Sequence, residues 1–208
     1  MKLYYSPGAC SLAAHIVLEE IGKPYELVPV LVHMGETSKP SFLSVNPKGR
    51  VPVLVDDEII TELPAILTYL SLSNIESNLL PADPVGVARA LEWLNWLSSN
   101  VHTQAYGQVW RPMRFTENKE QYGAIVGKGM ENIKEAYSQI DSKLKGRTWA
   151  LGDEFSCVDP FLVVFHLWGD IIGLPMKQYT YWGGHARRMS SRASVQAALK
   201  QEGLSLRV

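Results

Sequence analysis

Lys2-Leu3-Tyr4-Tyr5-Ser6-Pro7-Gly8-Ala9-Cys10-Ser11-Leu12-Ala13-Ala14-His15-Ile16-Val17-Leu18-Glu19-Glu20-Ile21-Gly22, and then Tyr25 to Val32, place strand, helix and strand signals within the first 32 residues. Residues 2–5 read as a short strand. Ser6-Pro7-Gly8-Ala9 breaks it, because proline and glycine punctuate regular structure. From Ser11 the apolar positions Leu12, Ile16, Val17 and Ile21 recur at helical spacing, and Gly22 sits where a helix stops in the left-handed conformation. Tyr25 to Val32, rich in Val and Leu, fits a buried strand. Together these make a βαβ unit, with a parallel strand pair and a right-handed crossover.

An irregular stretch follows from His33 to Gly49, holding Gly35, Pro40, Asn46-Pro47 and Gly49. Val51-Pro52-Val53-Leu54-Val55 is a strand beginning at a proline, which suits a strand start. Asp56-Asp57 marks a turn, Glu58 to Thr61 completes a hairpin, and Leu63 to Leu72 forms a helix with Ile66, Leu67 and Leu70 on one face. The order is β-α-β then β-β-α over residues 1–76. A polar stretch with Pro81 and Pro84 gives a linker at 77–86, and 87–208 reads as all helix. The spacing predicts one helix from Val85 to Gln108 and another from Asn118 to Leu144. A third opens at Phe155-Ser156-Cys157-Val158-Asp159, where Ser156 and Asp159 are spaced as a capping box. Shorter helices fall at 176–190 and 192–202.

The 208 residues are 46% hydrophobic and 20% charged, enough apolar material for a packed core. Twenty Lys and Arg against 21 Asp and Glu leave a net charge of −1. That balance gives no footprint for nucleic acid or for an anionic membrane. No apolar run approaches the ~20 residues that span a bilayer, and Met1 to Gly8 is too punctuated for a signal peptide, so a cytoplasmic protein is expected. Cys10 and Cys157 belong to no Cys-x-x-Cys pair, and none of the five histidines has another three or four residues away. No metal site is expected.

Several residues have chemistry to offer. Cys10 opens a helix, where free N–H groups and the dipole favour a thiolate, its own or a ligand's; a small buried residue is the equal alternative. With no second cysteine nearby, a dithiol cycle is disfavoured and a mixed disulfide with a small thiol stays open. A cis Val51–Pro52 bond would turn the Val51 backbone towards a peptide-like ligand, although residue chemistry alone favours trans. Glu62, between strand and helix, could take an ammonium while the helix's first N–H groups take a carboxylate; equally, it simply suits a helix N-terminus. His102 lies on the first long helix. Trp93, Trp96, Trp110 and Trp168 could line a pocket or fill the core, and Arg111 and Arg114 could meet an anion or only solvent.

These features in their order resemble the glutathione transferase family, in particular its bacterial, cysteine-containing beta class. The resemblance rests on Met1 to Leu12, Asn46-Pro47-Lys48-Gly49-Arg50-Val51-Pro52, Thr61-Glu62, Glu92-Trp93-Leu94-Asn95-Trp96, Ser156-x-x-Asp159 and Val195-Gln196-x-Ala198-Leu199-x-x-Glu202-Gly203-Leu204. It implies a thioredoxin-like α/β N-terminal domain, an all-α C-terminal domain, a homodimer, and glutathione as co-substrate without a metal. It implies Cys10, Ser11 and His102 around the glutathione sulfur. Val51 before a cis Pro52 would pair with the cysteinyl backbone, and Glu62 and Leu63 would hold the γ-glutamyl head. Asn95 and Ser99 would reach the neighbouring subunit's site. Trp110, Arg111 and Trp168 would border the electrophile.

Leu63 departs from the Ser or Gly common after the acidic residue, and Thr103 stands where the class often has Lys. Only His33 and Lys39 lie near the loop after the second strand. These departures imply weaker glutathione binding, by the worth of a lost charged hydrogen bond, about 1.5–3 kcal/mol. The implied reaction is conjugation of the glutathione thiolate to small hydrophobic electrophiles. A glutathione-dependent thiol–disulfide or peroxide reductase using Cys10, and a non-catalytic dimeric module, are the alternatives; Ser11 also leaves isomerase or dehalogenase variants open.

Overall fold

The computed structural model describes residues 1–208. The βαβ unit is present as β1 (Lys2–Tyr5), α1 (Ser11–Ile21) and β2 (Glu26–Pro29), followed by a short helix α2 (Pro40–Leu43), β3 (Val53–Val55), β4 (Ile59–Thr61) and α3 (Leu63–Leu72). The four strands form one mixed sheet in the order β2-β1-β3-β4. β1 runs parallel to β2, with Lys2 opposite Glu26, and antiparallel to β3, with Leu3 opposite Leu54. β4 closes the hairpin, with Val53 opposite Thr61.

Every residue of α1 from Ser11 to Leu18 is buried. A helix buried on all its faces belongs in an interior rather than on a surface. α1 lies between the sheet-bearing part and the helices α7 (Asp159–Ile171) and α9 (Ala193–Glu202), with α3 beside it. One apolar core of 45 buried residues therefore runs from Leu3 through Leu12 and Ile16 to Phe161, Phe165 and Leu199. A small second cluster, Val30, Phe42 and Val53, fills the sheet's other face. Each fully buried Leu or Ile adds roughly 1.5–3 kcal/mol, so the two halves are joined by burial rather than tethered by the linker alone.

The helix expected from Val85 to Gln108 follows one path but is not α-helical throughout. α4 (Pro84–Trp96) passes into a π-helical stretch, Leu97–Tyr106, and then into α5 (Gly107–Trp110). Apolar spacing near 3.6 cannot distinguish a wider turn, yet Thr103 Oγ1 bonds the Ser98 carbonyl at 2.9 Å, five residues back, as a wide turn allows. Such stretches frequently mark functional sites. α6 spans Tyr122–Leu144, later than the expected Asn118, because a 3-10 turn at Lys119–Gln121 precedes it. The third helix opens at Asp159 and not at Phe155, although the Asp159 carboxylate does accept the Ser156 N–H at 2.8 Å. The stretch read as irregular holds two 3-10 turns and α2. The closing helices are α8 (Thr180–Ser190), entered from a 3-10 turn at Met176–Gln178, and α9. No helix is long and apolar enough to cross a membrane.

Candidate active site

The break between β1 and α1 builds the floor of the site. Gly8 turns the chain with φ 71°, a conformation that suits glycine. Its N–H donates to the Glu202 carboxylate at 2.9 Å, and its carbonyl accepts the Trp168 indole N–H at 2.8 Å. Two elements distant in sequence thus hold the loop that delivers Cys10 to the start of α1.

Cys10 is buried, and its thiol points at the Val51 carbonyl, 3.7 Å away. The Val51–Pro52 bond is cis. Burial pushes the Cys10 thiol up to about 12, against the pull of the Cys10 and Ser11 N–H groups and of Arg111. Cys10 is therefore a neutral thiol at physiological pH. The Cys10 and Ser11 N–H groups face the Cys10 sulfur itself. The Ser11 hydroxyl does not reach the cavity: it is fully buried and exchanges hydrogen bonds with the Ser6 N–H and carbonyl, both at 3.2 Å. Ser11 offers its N–H, not its hydroxyl.

A cavity of about 490 Å³ opens in front of this floor, lined among others by Cys10, Val51, His102, Trp110, Arg111 and Trp168. A smaller recess of about 60 Å³ shares Cys10, Val51 and His102 with it and adds Pro52, Glu62 and Leu63. Asn46 shapes the wall between them, giving its side-chain amide to the Arg50 carbonyl at 2.7 Å and accepting the Lys48 N–H at 3.1 Å. Glu62 has φ 70°, in the left-handed region that a side chain rarely adopts. Strain of this kind persists where the surroundings enforce it, commonly at binding sites. Its carboxylate meets Lys48 Nζ at 2.7 Å. Leu63 is buried at the start of α3 and lines the recess.

The far wall is aromatic. Tyr106, Trp110 and Trp168 lie with ring centres 4.6–4.9 Å apart, and His102 is 4.9 Å from Trp168. The π-helical stretch supplies both His102 and Tyr106. Burial pulls His102 down to about 4, aided by Arg111, Arg50 and Arg114, so it is a neutral imidazole at pH 7. Asn95 and Ser99 are exposed and line neither cavity; Ser99 Oγ bonds the Asn95 carbonyl at 2.7 Å. Trp93 is in the core and Trp96 packs against it, 5.7 Å between centres, away from this pocket.

The family profiles described as the N-terminal and C-terminal domains of glutathione S-transferase match residues 1–71 and 90–186. Glutathione S-transferase GstA of Escherichia coli O157:H7 is 35% identical over 208 residues, covering 98% of this chain and all of that one. The chain belongs to the glutathione S-transferase family. Among solved structures, a glutathione transferase homologue from Sulfitobacter with bound glutathione superimposes with a TM-score of 0.91 at 32% identity, covering 98% of both chains. The beta-class glutathione S-transferase of Sphingomonas chungbukensis gives 0.86 at 35% identity, covering 99% of this chain and all of that one.

One support of this transferase's site joins residues whose contact no local pattern announces. Glu202 and His15 are 187 positions apart, yet their side chains meet at 2.8 Å with neither exposed. Arg50, within the Asn46–Pro52 motif but given no role by it, and Tyr106, which belongs to no motif, both line the cavity.

The two histidines whose pKa values burial depresses set a pH dependence. His102 and His166 both fall to about 4, against about 6.5 unfolded. Between those values the unfolded chain binds more protons, so stability rises with pH across the window. The urea midpoint should fall as pH drops from 6.5 towards 4. A midpoint unchanged between pH 7 and pH 5 would show that neither imidazole is kept neutral by burial.

Proposed function

We propose that this glutathione S-transferase conjugates the glutathione thiolate to small hydrophobic electrophiles. The observation that carries the reading is the adjacency of two environments. A recess with Val51, Glu62 and the start of α3 opens directly into an aromatic cavity, and the α1 N-terminus lies at their junction. In this reading the Glu62 carboxylate takes the γ-glutamyl ammonium and the uncapped start of α3 takes the neighbouring carboxylate. Val51 pairs with the cysteinyl backbone. The sulfur lies at the Cys10 and Ser11 N–H groups, and Tyr106, Trp110 and Trp168 hold the electrophile. Lowering a thiol pKa by two units needs about 2.7 kcal/mol, within reach of a helix N-terminus and two donors. Proximity in the cavity supplies the rest.

The same proposal places the glutathione-binding domain at 1–76, the linker at 77–86 and the helical domain at 87–208. It places the protein in the cytoplasm as a homodimer, with Asn95 and Ser99 facing the neighbouring subunit's site. Exposed Leu72, Ile75 and Val85 around the linker give such a dimer apolar surface to cover. A reductase working through Cys10 finds less support, because a thiol held near 12 is a poor nucleophile at neutral pH.

Calorimetric titration with reduced glutathione is the direct test, with binding expected between micromolar and low millimolar strength. No heat at several millimolar would defeat the proposal. Glu62→Ala should weaken binding roughly ten- to a hundredfold, the worth of a charged hydrogen bond. The Lys48 pair it replaces is exposed on both sides and contributes only about 0–1 kcal/mol, so an ammonium displaces it at little cost. Unaltered affinity in Glu62→Ala would remove the γ-glutamyl assignment.

A further inference from the structure

The charge around the 490 Å³ cavity is one-sided. Arg50, Arg111 and Arg114 all line it, and no Asp or Glu does. None of the three arginines forms an ion pair or a side-chain hydrogen bond elsewhere in the chain. Three guanidinium groups at one opening, with no carboxylate among the lining residues, make an anion the ligand chemistry that matches them. Their mutual repulsion is felt: Arg114 is pulled down by burial and then by Arg111 and Arg50.

Glutathione does not balance this charge. Its γ-glutamyl end carries one carboxylate and one ammonium and belongs in the Glu62 recess. Its glycyl carboxylate answers one cation, and Arg50, next to Val51, is the one on the glutathione wall. Arg111 and Arg114 remain, just beyond Trp110 on the aromatic side. Guanidinium groups favour planar anions, which they bind through two parallel hydrogen bonds.

We infer that the electrophile this enzyme takes is anionic: a flat aromatic molecule whose carboxylate lies against Arg111 and Arg114 while its ring packs on Trp110 and Trp168. The inference rests on the conjugation reading and names its substrate class. A suitable probe reaction is displacement of chloride from 4-chloro-3,5-dinitrobenzoate. The glutathione sulfur forms a bond to the ring carbon, the carbon–chlorine bond breaks, chloride leaves with the electron pair, and the thiol proton passes to solvent. The methyl ester of the same compound keeps ring and leaving group and removes the charge.

The quantity to compare is kcat/KM divided by the uncatalysed rate constant for each compound, which cancels the ester's different intrinsic reactivity. The acid should be favoured at least about tenfold at low ionic strength, the worth of one charged hydrogen bond. The preference should shrink towards one near 1 M salt, where screening acts within about 3 Å. Arg111→Gln and Arg114→Gln should each lower it, and Arg111→Lys should retain part of it. If the arginines served only the thiolate, acid and ester would gain equally. Equal enhancement of acid and ester, or a preference insensitive to both arginine variants, overturns the inference and leaves conjugation standing. Failure of both compounds to react overturns the two together.

Discussion

Replacing Asp159 with alanine should lower the unfolding free energy by about 3–5 kcal/mol, the usual consequence of removing one partner from a buried charged cluster. The capping-box spacing of Ser156 and Asp159 alone would set the cost at about 0.5–2 kcal/mol. The structure raises it, because the carboxylate is fully buried and serves four donors. It accepts the Ala150 N–H, the Ser156 N–H and the His185 imidazole, each at 2.8 Å, and the Ser156 hydroxyl at 2.9 Å. Truncation orphans two backbone N–H groups and a buried histidine at once, and each orphan costs about 1–3 kcal/mol. The melting temperature should fall by roughly 6–20 °C. Asp159→Asn keeps the shape and one acceptor oxygen, but turns an NH2 towards donors, and should fall between the wild type and Asp159→Ala. A loss below about 1 kcal/mol in Asp159→Ala would mean that this cluster does not hold α7 to the preceding loop and to α8.

How much of this was legible in the chain depended on range. Elements set by local pattern were readable: β1, α1 with its Gly22 stop (φ 72°), and α3 fall at the residues their periodicity indicates. The fold class followed from the order of those elements. Boundaries slipped where a 3-10 or π turn adjoined an α-helix, since the apolar spacing changes little between them; the stretch around His102 is the clearest case. At the site, local chemistry leaves Cys10, Val51, Glu62 and His102 open between a functional and a structural part, and only the family resemblance singles them out; the structure brings these four around one small recess. The direction of a side chain was not legible. Ser11 is adjacent to Cys10 in sequence, but its hydroxyl satisfies Ser6, because a helix's first residues point in different directions. Nor was long-range pairing legible. Nothing near Gly8 announces that residues 168 and 202 hold it.

That pairing gives the second large effect. Glu202 sits in the last turn of α9, with one carboxylate oxygen on the Gly8 N–H and the other on His15 Nδ1 at 2.8 Å. His15 lies on α1, and its second ring nitrogen meets the Gln201 side-chain oxygen at 3.2 Å. The carboxylate thus ties the loop before Cys10 to the helix after it, through a contact with no solvent exposure on either side chain. Glu202→Ala leaves a buried imidazole and a backbone donor without their acceptor, and should cost about 3–5 kcal/mol of stability. It should also change function differently from Asp159→Ala, which lies away from the cavity. With Gly8 released on one side, the N–H groups at the start of α1 lose their fixed aim at the sulfur. Displacements near 1 Å in such an arrangement can cost roughly a hundredfold in rate. Steady-state kinetics at a temperature where the variant is fully folded should show a lower kcat/KM for glutathione, while Asp159→Ala at matched foldedness keeps it. Glu202→Gln retains an oxygen for Gly8 but places an amide against His15, so it should recover glutathione kinetics more fully than stability. Equal kinetic losses in the Asp159 and Glu202 alanine variants would show that α9 steadies the fold without positioning the loop.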